Sequence, residues 1–229
     1  MLLAWDAAVF RAIHHGLHVP ALDPVMMWLT APGTFRYVFF VLVGAAFLAR
    51  GARGALALAV LVATIAVSDQ VSAKGIKPIF RRQRPSVTLA DARPLFGVRH
   101  TWSFPSNHAV NFTAAIPIVA TAFPAATVPA IAVAAAVSFS RIYVGDHWPS
   151  DVLGGVLIGL YVGLLGRRAY RRLERGLFEG AQRGSVIGRS GTGGSELGVE
   201  PSRDLARRPA PDPVAPVTTG AGGGSSGGP

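Results

Sequence analysis

Hydrophobic positions along this chain collect into long apolar runs instead of alternating with polar ones. Five runs, at roughly 35–50, 54–73, 108–123, 125–144 and 152–166, carry few charges and predict membrane-spanning helices, several near the short end of what crosses a bilayer. Ahead of them, Trp5, Phe10, Ile13 and Leu17 share one helical face while Arg11 and His14 lie elsewhere, which predicts an interfacial helix ending before Pro20. The apolar segment 22–31 is too short to span by itself. No basic region precedes the first apolar residues and no small-residue cleavage site precedes a soluble domain, so no cleaved signal peptide is expected. The expected fold is all-α: a polytopic membrane helix bundle of about five to six helices, with an N-terminal interfacial helix and a disordered C-terminal tail. The membrane domain is placed at 1–175 and the tail at 176–229, where Gly, Ser, Pro and Arg leave too little apolar content to pack.

Composition agrees with a membrane protein: 50% of the 229 residues are hydrophobic and the mean hydropathy is +0.40. The absence of cysteine excludes disulfides, thiolate chemistry and Cys-based metal sites. The net charge of +10 is uneven, because residues 1–175 hold 17 Lys and Arg against 7 Asp and Glu while 176–229 hold 5 of each. These basic residues flank apolar runs and form no stripe with interleaved aromatics, so nucleic acid is not the expected partner; membrane lipids and an anionic substrate are. Arg50 and Arg53 between the first two spans, and Arg167, Arg168, Arg171, Arg172 and Arg175 after the last, predict two cytoplasmic segments. Four spans between them then place 74–107 and 141–151 together on the extracytoplasmic side. The seven basic residues of 74–107 oppose export if counted by charge alone, but they have a competing functional explanation.

Three charged clusters carry candidate chemistry. In the first, Lys77 and Arg84 lie seven apart in Lys77-Pro78-Ile79-Phe80-Arg81-Arg82-Gln83-Arg84-Pro85; alone, such a run reads as a headgroup or topology signal. In the second, Phe104-Pro105-Ser106-Asn107-His108 precedes an apolar helix, so Ser106 is the expected N-cap and the first backbone N–H groups would face an anion. Its plainer reading is a capped helix with a histidine in the first turn. The third is Ser140-Arg141 followed by His147 and Asp151: an imidazole with a carboxylate to hold its far nitrogen, and a guanidinium fork that matches a phosphoryl group. Charged residues at a membrane boundary are costly without a task, which favours function here.

In this order the clusters resemble the type 2 phosphatidic acid phosphatase superfamily, which includes vanadium-dependent haloperoxidases. Its pattern is Lys-x6-Arg-Pro, then Pro-Ser-Gly-His, then Ser-Arg-x5-His-x3-Asp; the chain matches at Lys77, Arg84, Pro85, Pro105, Ser106, His108, Ser140, Arg141, His147 and Asp151. Asn107 replaces the family glycine, and the tolerance of Asn for left-handed backbone is expected to preserve the turn. Residues 10–15 and 22–26 also look like the small bacterial undecaprenyl-diphosphatases of this superfamily. His14, His15 and His18 fall outside the catalytic pattern and are read as interfacial, not as metal ligands.

The resemblance implies a nucleophilic His147 held by Asp151, a proton donor in His108, and a phosphate site made of Lys77, Arg84, Ser106, Asn107 and Arg141, with no metal and no cofactor. It implies a lipid phosphate or diphosphate substrate, undecaprenyl diphosphate first and phosphatidate or phosphatidylglycerophosphate as the alternative. It also implies a bacterial cytoplasmic membrane with the site on the extracytoplasmic face. A haloperoxidase is disfavoured by the spans, and a non-catalytic lipid-binding or transport protein by the intact His147 and Asp151 pair.

Overall fold

A computed structural model describes residues 4–31 and 34–179, and every regular element among these described residues is helical. The tail expected beyond residue 176 lies, from 180 onward, outside the described residues. Helix α1 covers Ala4–His14, the short α2 Asp23–Thr30, and α3 Thr34–Leu48. Helix α4, Gly51–Gln70, runs through a π-helical stretch, Val71–Ile76, into α5, Lys77–Phe80. After the short α6, Pro85–Thr88, come α7, Asn107–Ala122, α8, Thr127–Tyr143, and α9, Pro149–Glu174.

Each apolar run thus becomes a helix, with two departures in length. The second run continues through the π-helical turns, so Lys77 sits on a helical extension of the span instead of beyond it. The fifth run grows at both ends: Pro149 occupies the first turn, where a missing N–H costs nothing, and the C-terminal half carries the arginines past the apolar stretch. Three of the helical stretches, Gly51–Thr88, Pro124–Tyr143 and Pro149–Phe178, are long and apolar enough to cross a membrane. Helices α3 and α7, of 15 and 16 residues, rise only about 22–24 Å at 1.5 Å per residue.

Helix α7 is the central element, packed against α4, α8 and α9. Its approach to α9 is set by small residues. A Cβ added at Gly159 would lie 2.3 Å from the Val110 carbonyl oxygen, and one at Gly163 would lie 2.4 Å from that of Ala114, so the backbones meet with no room for a side chain. Two apolar clusters fill the bundle. Phe47, Ala57, Leu61, Ile118, Ala122 and Tyr170 close one end, while Phe10, Ala109, Ile142, Trp148 and Val152 lie behind the charged residues at the other. At the first end Arg53 reaches Glu174 (4.0 Å) and stacks over Phe178, and Arg50 lies over Phe123, which brings together the two arginine-bearing segments assigned to one side.

Helix α1 differs in its buried face. Asp6, Phe10 and His14 are enclosed, while Trp5, Val9 and Leu17 are exposed. His14 is therefore no interfacial residue. Its Nδ1 donates to the Tyr143 carbonyl (2.7 Å) and its Nε2 accepts from the Arg93 N–H (2.9 Å), tying α1 to the end of α8 and to the 89–106 loop. His15 and His18 stay partly exposed and face Asp91 and Asp23.

Candidate active site

The three charged clusters converge at one end of the bundle. His147 lies in the turn between α8 and α9, and Gly145, at φ +83°, reverses the chain just before it. Only 3% of His147 is exposed. Its Nε2 lies 3.2 Å from Arg84 Nη1, and a guanidinium only donates, so Nε2 holds the lone pair and the proton resides on Nδ1. That Nδ1 faces Asp151 Oδ2 at 3.5 Å, an ion-pair distance and not a made hydrogen bond. Asp151 is itself fixed: Oδ2 accepts from the Trp148 N–H (2.9 Å) and Oδ1 from Arg82 Nη1 (2.7 Å).

Burial drives the His147 imidazole well below its ordinary pKa, and the positive charges of Arg84, Arg141 and Lys77 push the same way against a smaller opposing effect of Asp146. The ring is accordingly neutral at neutral pH, with Nε2 turned toward Arg84. Burial lowers the His14 pKa as well. An unfolded chain takes up both protons near pH 6.5 while the folded chain resists them, so stability is undiminished above about pH 6.5 and declines as the pH falls below it. The thermal midpoint in detergent is therefore expected to be lower at pH 5 than at pH 7.5; a midpoint that rises on acidification would contradict the assignment of both imidazoles as neutral.

The cations are held from the backbone. Lys77 Nζ donates to the carbonyls of Pro105 (2.8 Å) and Trp102 (3.1 Å), which draws the helical extension against the loop before α7. Arg84 donates from Nη1 to the Asp146 carbonyl (2.8 Å) and from Nε to that of Thr101 (3.0 Å). Arg141, in the last turn of α8, pairs with the buried Asp146 carboxylate, which Arg99 (3.3 Å) and Arg84 (3.6 Å) also face. Asp146 escaped the sequence reading, though a second acid beside His147 at a membrane boundary was its signal. Removing it as Asp146→Ala leaves buried guanidinium groups uncompensated and is expected to cost about 3–5 kcal/mol of stability, readable as a lowered thermal midpoint.

Ser106 stands at the N-cap position of α7 as expected, yet its side chain makes no capping bond. Its Oγ is buried without a partner while its N–H donates to the Asp151 carbonyl (3.1 Å), so the hydroxyl is available to an anion at the helix start. Asn107 corrects an expectation. Among described non-glycine residues only Arg81 has positive φ, so Asn107 is no left-handed turn but the first residue of α7, where any residue fits. Its side chain is engaged instead: Nδ2 donates to Asp69 Oδ1 (2.9 Å) and Oδ1 accepts from Ser72 Oγ (2.9 Å). His108 follows in the same first turn and is partly buried. The site therefore brings a neutral imidazole, three cations and a helix N-terminus to one end of the helix bundle.

The sequence pattern of the PAP2 superfamily matches residues 53–175, and the chain belongs to that superfamily. It is similar to the lipid A 4'-phosphatase of Porphyromonas gingivalis, 29% identical over 157 residues that span 65% of this chain and 66% of that protein. It is also similar to an undecaprenyl-diphosphatase of Sulfolobus acidocaldarius, 40% identical over 65 residues that span 28% of this chain and 32% of the relative. Among solved structures, that of Aquifex aeolicus LpxE superposes with a TM-score of 0.60 at 25% identity, covering 72% of this chain and 96% of that one. The transmembrane PAP2-type phosphatidylglycerolphosphate phosphatase of Bacillus subtilis gives 0.57 at 27% identity, covering 75% and 87%. With its membrane-length helices and transmembrane neighbours, the chain is an integral membrane protein.

Proposed function

We propose that this protein is a lipid phosphatase that cleaves a phosphate or diphosphate ester through a phosphohistidine at His147. The observation that carries the reading is the orientation of that ring: Nδ1 toward Asp151 and the lone pair of Nε2 toward Arg84, with the charges of Arg141 and Lys77 also acting on it. Nε2 attacks phosphorus, and Asp151 stabilises the imidazolium character that develops. Lys77, Arg84, Arg141, Ser106 and the N–H of Asn107 hold the non-bridging oxygens as their charge rises. His108 protonates the departing oxygen, and water then releases phosphate from His147. The cations supply the charge that a divalent metal supplies in other phosphatases, so turnover is expected to persist in EDTA; a loss restored by Mg²⁺ would refute this. One histidine starts neutral and the other protonated, which gives a bell-shaped pH profile whose acidic limb, set by His147, lies below about pH 6.5.

A site beside the apolar exterior suits a phosphate carried at headgroup depth, and undecaprenyl diphosphate is the preferred substrate. The likeness to the phosphatidylglycerolphosphate phosphatase structure favours phosphatidylglycerophosphate or phosphatidate as the second reading. Phosphate release from the three purified lipids in detergent decides between them, the preferred reading requiring the highest kcat/KM on the diphosphate. The proposed location is a bacterial cytoplasmic membrane, and the arginines at 50–53 and 167–175 support an orientation with the site outside. Reporter fusions after Arg53 and after Arg175 are expected to remain cytoplasmic; either one outside reverses the orientation.

A further inference from the structure

Among the described residues, a buried polar network lies behind the site, not in it. Asp6, fully buried on α1, accepts from the Ser150 N–H with Oδ1 (2.9 Å), and its Oδ2 pairs with Arg82 and accepts from the Ser150 hydroxyl. Arg82 uses its other terminal nitrogen on Ser150 Oγ and on Asp151 Oδ1 (2.7 Å), and its guanidinium carbon lies 5.4 Å from the centre of the Trp148 ring. Arg82 is aimed by its backbone. Arg81, at φ +44°, ends α5 and turns the chain, and the Ser103 N–H donates to the Arg82 carbonyl (2.8 Å). Within three residues the chain then sends Arg82 to the back of Asp151 and Arg84 to the front of His147.

This arrangement has a directional consequence. A carboxylate has two oxygens and rotates about its last bond unless both are engaged. With Oδ1 held by Arg82 and Oδ2 by the Trp148 N–H, the plane of Asp151 is fixed and Oδ2 stays opposite His147 Nδ1. Arg82 in turn is oriented by Asp6, a residue contributed by the N-terminal helix.

We propose that Arg82 and Asp6 are positioning residues that fix the Asp151 carboxylate against His147, so that docking of α1 is required for turnover and not only for packing. The inference rests on His147 being the nucleophile. Partners that orient metal-ligating side chains from behind contribute about 10–100-fold, and a comparable size is expected where the oriented group is a nucleophile's carboxylate. Arg82→Gln is accordingly expected to lower kcat about 30-fold with KM changed less than about threefold, because Lys77, Arg84 and Arg141 still bind phosphate. Arg82→Lys keeps the charge but not the fork and falls between; Asp6→Asn lowers kcat by about fivefold.

A second readout separates positioning from scaffolding. Charges facing His147 come from Lys77 on α5, Arg84 before α6, Arg141 on α8, Asp146 in its own turn and Asp151 on α9. Loss of Arg82 leaves Asp151 less neutralised and favours the imidazolium, so the acidic limb of kcat/KM moves up by about one pH unit. The experiment measures release from undecaprenyl diphosphate, phosphatidate and phosphatidylglycerophosphate, each as probe, together with the thermal midpoint of each variant. A fall in kcat with a shifted limb supports the proposal. Wild-type kcat in Arg82→Gln overturns it, as does activity that falls only in step with the thermal midpoint while the limb stays put. Turnover by His147→Ala sinks the nucleophile assignment and this inference together; an inactive His147→Ala beside a fully active Arg82→Gln sinks this inference alone.

Discussion

Substituting His147 with alanine is expected to lower phosphate release by about 10⁴-fold or more, equivalent to roughly 5.5 kcal/mol of lost transition-state stabilisation. The magnitude follows from what would remain. Without Nε2 there is no atom to carry the phosphoryl group, and water must attack directly, helped only by the Arg84, Arg141 and Lys77 charges. Those cations still bind the substrate, so KM should change little while kcat collapses. Asp151→Asn is expected to follow at about 10³–10⁴-fold, because an amide neither stabilises the imidazolium nor specifies which ring nitrogen carries the proton. Rapid quenching under alkaline conditions, which preserve phosphohistidine, should trap label on the wild type and none on His147→Ala. Label on the alanine variant would move the nucleophile elsewhere, and His108 would be the first place to look. Folding is not the confounder it usually is for a buried residue. The turn is held by backbone bonds, the Asp146 and His147 N–H groups both donating to the Arg141 carbonyl (3.2 Å each), and Gly145 keeps its conformation regardless of the ring.

Much of this site was legible before any coordinates, for a physical reason. Side chains proposed to bind or attack a phosphate at a membrane boundary, and the carboxylate that holds one of them, must be charged where charge is expensive, so Lys77, Arg84, Arg141, His147 and Asp151 stand out against apolar neighbours. Helix positions were legible on the same ground, since long apolar runs leave few alternatives. What the sequence hid were relations between distant positions. Asp6 and Arg82 are 76 residues apart and each looks ordinary alone: one acid in a short amphipathic helix, one arginine in a basic run. The sequence places His14 at the interface and gives Asp6 no role, because both are polar, whereas each finds its partners inside. Asn107 misled through the opposite error, a backbone role inferred from a family glycine when the side chain is what is engaged, by Asp69 and Ser72. The length of α9 was underread because apolarity ends near residue 166, while the helix continues on its arginines and on Tyr170, which packs into the far core.

Gly159→Val should be strongly damaging although it lies away from the charged residues. A Cβ at this position would sit 2.3 Å from the Val110 carbonyl oxygen and 3.0 Å from the carbon behind it, both backbone atoms of the central helix that cannot swing aside as a side chain can. The same contact recurs a turn later at Gly163 against Ala114, and Gly155 meets Ala109 and the Ser106 carbonyl a turn earlier, so the helices touch along a continuous seam. Between membrane helices such close backbone approach is a main source of attraction, since lipid offers no hydrophobic drive to hold them together. Valine must separate α7 from α9 and loses the dispersion contacts on both sides of the seam; about 3 kcal/mol or more is expected, seen as a fall in thermal midpoint or in yield of folded protein. Alanine adds only the Cβ and should cost less, about 1–3 kcal/mol. Activity should fall further than stability in the alanine variant. Helix α7 carries Ser106 and His108 at its start and α9 carries Asp151 at its own, and the Ser106 N–H to Asp151 carbonyl bond (3.1 Å) ties those starts together. The shift of about an ångström needed to relieve a 2.3 Å contact at Gly159 therefore moves the proposed acid relative to the proposed nucleophile. A Gly159→Ala enzyme with wild-type kcat would show that the two helix starts are set by that bond alone and not by the seam.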